Sequence, residues 1–99
     1  MSARSEKSPY PSRYSPDGWV TAMQYITELI CEKAAQLEGR DLPIKFWEIG
    51  EWEKFYKYQV SIANRLVKKY GASAVINALP SNEARKIYSL NAPFLIPII

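Results

Sequence analysis

Ninety-nine residues, 47% of them hydrophobic and 23% charged, describe one packed domain and not a disordered chain. The absence of histidine and the single Cys31 exclude a His-based triad, a His–Cys zinc site, a multi-cysteine metal site and an internal disulfide within this chain. No apolar run approaches the roughly 20 residues that span a bilayer, so no membrane partner is expected; no cofactor is expected either.

The net charge of +3 is unevenly placed. Residues 1–50 hold six cations against seven acids, a balance of −1, whereas residues 51–99 hold seven against three, or +4. A basic half attracts polyanions or an acidic partner.

Residues 1–16 read as a flexible Ser/Pro/basic tail, and residues 17–99 as a single helical domain. Pro9, Pro11 and Pro16 preclude a helix there, and no apolar period is present. Tyr10 and Tyr14, with Arg13 between them, can stack on bases or pack back on the domain. The basic start lacks the apolar stretch of a secretory signal. With the lone Cys31, that favours a reducing, cytoplasmic setting.

A first helix is predicted over 22–38. Thr21 and Gln24 form a capping box, Val20 and Tyr25 occupy the staple positions, and Gly39 is the stop. Met23, Ile26, Ile30, Ala34 and Leu37 make its apolar stripe, with Cys31 a small buried hydrophobe beside it. Glu28 and Glu32, one turn apart, read as a solvated pair on its surface; the alternative is a divalent-cation site completed by a partner's oxygens. The connector 40–50 carries Phe46, Trp47 and Ile49, which are expected to fold down over the core edge; the alternative is an aromatic patch that grips a partner.

The second helix is predicted over 51–70, with Gly71 as its stop. Glu51 and Glu53 suit its positive end, and Lys68 and Lys69 its negative end. At roughly 100° per residue, Trp52, Phe55, Tyr56, Gln59, Ile62, Ala63, Leu66, Val67 and Tyr70 share one side. Lys54, Lys57, Tyr58, Ser61, Arg65 and Lys68 share the other. Two short helices should follow: 74–79, capped by Ser73 and ended by Pro80, and 82–89, capped by Ser81. Residues 92–99 carry no charge, and two prolines forbid a continuous helix there.

The expected fold is all-α: two longer antiparallel amphipathic helices and two short ones. Its expected core is Met23, Ile26, Ile30, Leu37, Trp52, Phe55, Ile62, Leu66, Val75, Ile76, Leu79 and Ile87. Short helices after a long amphipathic one, with Ile-Tyr-Ser-Leu at 87–90 before a proline-interrupted end, resemble helical accessory modules of phage and bacterial replication proteins. That resemblance assigns no individual residue a role.

Catalysis by this chain alone is not expected. No glycine-rich phosphate loop is present, since the four glycines are scattered at element boundaries. The leading function is a small non-enzymatic module that binds DNA or another nucleic acid. Lys54, Lys57, Tyr58, Arg65, Lys68, Lys69, Arg85 and Lys86 would make the contact. The alternative is protein interaction or self-assembly through Trp47, Phe94, Leu95, Ile96 and Ile98.

Overall fold

The computed structural model describes residues 9–16, 18–81, 84, 87–91 and 95–99. In chain order these form strands β1 (Tyr10–Pro11) and β2 (Trp19–Val20), helix α1 (Ala22–Leu37), a 3-10 turn (Phe46–Glu48), and helices α2 (Gly50–Tyr70), α3 (Ala72–Ala78) and α4 (Leu95–Ile98). The fold is mostly helical, as expected, with a small two-stranded antiparallel ribbon added to the helices. Tyr10 pairs with Val20 and Pro11 with Trp19.

The described part of the expected tail, residues 9–16, is packed on the domain. Tyr14 is buried, and the Tyr10 ring stacks on Tyr25 at 5.2 Å. The Ser12 hydroxyl accepts the amides of Tyr14 and Ser15 at 3.1 and 3.0 Å. The Ser12 amide donates to Gly18 O at 2.9 Å. Side-chain and turn hydrogen bonds thus hold a segment that has no helical or strand period of its own. Residues 1–8 lie outside the described residues.

Helix α1 begins as its sequence dictates. The Gln24 amide donates to Thr21 Oγ1 at 3.3 Å, and the Thr21 amide donates back to Gln24 Oε1 at 3.0 Å. At its C-terminal end the Gly39 amide donates to Gln36 O and the Arg40 amide to Ala35 O, at 3.0 and 2.9 Å. This is a Schellman motif, and it requires Gly39 at φ +70°. A Cβ on Gly39 would meet nothing within 4 Å. Gly39→Ala should therefore cost only the left-handed backbone penalty, about 1–2 kcal/mol, read as a drop in the thermal midpoint. Leu37, expected in the core, is 63% exposed. Gln36 and Glu38 are exposed as well, because the last turn of α1 runs past its neighbours.

Glu51 pairs with Arg40 just beyond the end of α1, at 2.8 Å. Tyr56 feels the charge of Glu28 further back along α1. The start of α2 thus lies beside the end of α1. The interface of these two helices and α3 enclose Ile26, Ile30, Trp52, Ile62, Ala63, Leu66, Val75 and Leu79. Met23, Phe55 and Ile76 pack against this core while half-buried, and Ile87 lies within it.

The connector closes one end. Phe46 is fully buried, with edge-on contacts to Tyr14, Trp47, Trp52 and Tyr56 at centroid distances of 5.1, 5.3, 6.0 and 5.6 Å. Trp47 is half-buried over the Tyr56 ring. Ile49, by contrast, is 45% exposed; its carbonyl accepts the Trp52 and Glu53 amides in the first turn of α2.

Ser73 does not cap α3. Gly71, at φ +90°, ends α2 and starts α3 in one residue, so α3 begins earlier than its polar cap suggests. Lys33 reaches across from α1 and donates to Leu79 O and Ala84 O at 3.3 and 2.8 Å, satisfying one carbonyl at the end of α3 and tying it to the segment that follows. Of the helix expected over 82–89, residues 82, 83, 85 and 86 lie outside the described residues, and residues 87–89 are not helical. They are held by Gln59, fully buried in α2. Its Nε2 donates to Ser89 Oγ at 2.9 Å, and its Oε1 accepts the Leu90 amide at 2.7 Å. Near the end, α4 accommodates Pro97 because a four-residue helix has only a first turn, where a missing amide hydrogen costs nothing.

Candidate nucleic-acid interface

The outer face of α2 is the most strongly cationic described surface. Lys54, Lys57, Tyr58, Ser61, Arg65, Lys68 and Lys69 are all exposed, and among the described residues no element packs over them. The periodicity that buries Trp52, Gln59, Ile62, Ala63 and Leu66 puts them there. Lys54, Lys57, Arg65 and Lys68 fall within about 80° of helix circumference and span about 21 Å of its axis. No acidic residue occurs between Glu53 and Glu83.

Two contacts modulate the face. Lys57 pairs with Glu53 one turn earlier at 3.4 Å, with both side chains largely exposed. Such a pair is weak and readily exchanged. The Lys69 ammonium stands 5.4 Å from the Tyr70 ring centroid, off the main row. The Tyr58 ring is 50% exposed with cations around it. Arg85 and Lys86 lie outside the described residues.

Comparison with protein-family models, curated proteins and solved structures finds no match.

The residues expected to meet a protein partner are not presented together as one free apolar end. Leu95 is fully buried in the chain's own core, and Ile98 and Trp47 pack against that core. Ile96 is 51% exposed. Phe94 lies outside the described residues. No helix among the described residues is long and apolar enough to cross a membrane.

Glu28 departs from expectation. It is 3% exposed, not solvated. The Ser12 hydroxyl lies 2.8 and 2.9 Å from its two carboxyl oxygens. No cation pairs with it among the described residues; Arg13 pairs instead with Glu32, at 3.5 Å. Burial pushes the Glu28 carboxyl up to about 7, with Glu32 adding to the rise and the Ser12 hydrogen bond opposing it. The Cys31 thiol beside it is pushed up to about 12, chiefly by burial, which makes it an inert core sulfur. Burial likewise holds the phenols of Tyr14 and Tyr56 well above their ordinary range. Among the described residues no three His, Cys, Asp or Glu side chains gather as a metal site.

Proposed function

We propose that this chain is a small non-enzymatic module that binds nucleic acid, with little regard to sequence, through the outer face of α2. One observation carries the reading: a one-sided row of cations on a rigid helix, uncovered among the described residues and without an acidic residue between Glu53 and Glu83. Such a row neutralises phosphates and gains affinity from released counterions, with no base-edge reading required. The competing docking of an apolar C-terminal end is the weaker reading, because Leu95, Ile98 and Ile99 are engaged with the chain's own core.

Salt dependence gives the test. If about four phosphates are neutralised, affinity should fall roughly 50- to 150-fold between 50 and 200 mM salt. Arg65→Glu combined with Lys68→Glu should weaken binding to unrelated oligonucleotides by the same factor. Leu37→Ser, an exposed change away from α2, should leave binding intact. Fluorescence anisotropy with labelled oligonucleotides reads all three. Absence of binding at 50 mM salt by folded protein would refute the proposal.

A further inference from the structure

We infer that the outer face of α2 is shaped for single-stranded nucleic acid: its cations follow one phosphate backbone, and Tyr58 stacks on a base beside it. This rests on the nucleic-acid reading above and narrows it.

The cationic row is narrow. A duplex offers phosphates along both walls of a major groove about 12 Å wide. A helix seated there needs cations on both flanks and polar readers between them. On α2 the order is different. Lys54, Lys57, Arg65 and Lys68 form one band of about 80°, wide enough for one backbone. On the Lys57 side the band is bordered by the Glu53 carboxylate and by uncharged, half-buried Asn64. That flank repels or ignores a second phosphate row.

The other flank of the band is aromatic. Tyr58 lies there, about 20–40° beyond Arg65 and Lys54; the one cation past it, Lys69, sits about 20° further round at the far end of the helix, with its ammonium against the Tyr70 ring. Its ring is half-exposed, and no aromatic partner among the described residues engages it. The other aromatic side chains of α2, Trp52, Phe55, Tyr56 and Tyr70, are buried or half-buried. An exposed ring beside a phosphate track stands where the bases of an unpaired strand fall. Duplex bases, stacked inside the helix, offer it no face. Stacking accepts any base, since every base has a π-face.

The experiment compares the full chain with Tyr58→Ala and Tyr58→Phe at 50 mM salt. The probes are a labelled oligothymidylate of about 15 nucleotides, a duplex of equal length, inorganic polyphosphate and polyglutamate. Unchanged thermal midpoints establish that the variants are folded. The wild type should bind the single strand more tightly than the duplex. Tyr58→Ala should weaken single-strand binding about tenfold while sparing duplex and polyphosphate, and Tyr58→Phe should retain it. Duplex binding as tight as single-strand binding, or no effect of Tyr58→Ala, overturns this inference and leaves the broader function standing. Polyglutamate bound as tightly as oligothymidylate also overturns it, by reducing the face to a generic polyanion surface. Failure to bind any nucleic acid refutes both readings.

Discussion

Raising the pH from 4.5 to about 7 should destabilise this protein through one carboxyl group, and Glu28→Gln should remove that contribution. In the unfolded chain Glu28 ionises near 4.5, whereas in the fold it holds its proton up to about 7. Below 4.5 both states are protonated, and the group costs nothing. Between the two values the unfolded chain ionises first, so the folded state loses ground as pH rises. Above about 7 both states are ionised and the loss is complete, at about 3 kcal/mol for a shift of this size. Every other titrating group adds its own slope to the total stability over the same range. The diagnostic quantity is therefore the stability difference between wild type and Glu28→Gln. Urea titrations followed by tryptophan fluorescence should show that difference moving in favour of the variant across pH 4.5–7 and flat beyond. A difference independent of pH would mean that Glu28 is hydrated in the folded protein.

Phe46→Ala should be the most damaging apolar truncation, at about 3–5 kcal/mol. Four aromatic rings meet its ring, from the segment before α1, from the connector and from α2. Removing it leaves a cavity bounded by stiff rings, which collapse poorly. Domains of this size are stable by only about 5–15 kcal/mol in total, so the loss consumes a large share. Phe46→Leu should recover part of it. Chemical denaturation read by far-UV circular dichroism measures both. A cost below about 1 kcal/mol for Phe46→Ala would mean that the connector does not close the core.

The long helices were legible because each carries its own instructions. Thr21 and Gln24 start α1, Gly39 and Gly71 mark stops, and the spacing of Trp52, Ile62 and Leu66 sets the face of α2. The candidate interface was legible for the same reason, since knowing which side is buried fixes which side is not. The ordered segment at 9–16 was not. Its strand is two residues long, too short for a period, and its Ser/Pro composition is also that of a mobile tail. Its anchors, Ser12 on Glu28 and Tyr14 on Phe46, join residues 16 and 32 positions apart, and no local pattern encodes them. Glu28 was misread as a consequence: α1 is covered on a second flank by that segment, so a position off the Ile26–Ile30 stripe is still interior. Leu37 erred the other way, having the right periodicity but lying beyond the reach of the core. Ile49 was judged by its apolar side chain, whereas the fold uses its carbonyl.

The Gln59 amide, gripping Ser89 and Leu90 from the back of α2, has a mechanical consequence. A helix held only by interchangeable aliphatic contacts can roll a few degrees about its axis at little cost. One whose interior amide must meet a hydroxyl and a backbone N–H cannot, because rolling would leave buried polar groups unmatched. The azimuth of α2 is thus locked by a residue that faces no ligand. The cations on the opposite side inherit that setting, and a partner need immobilise only their side-chain ends.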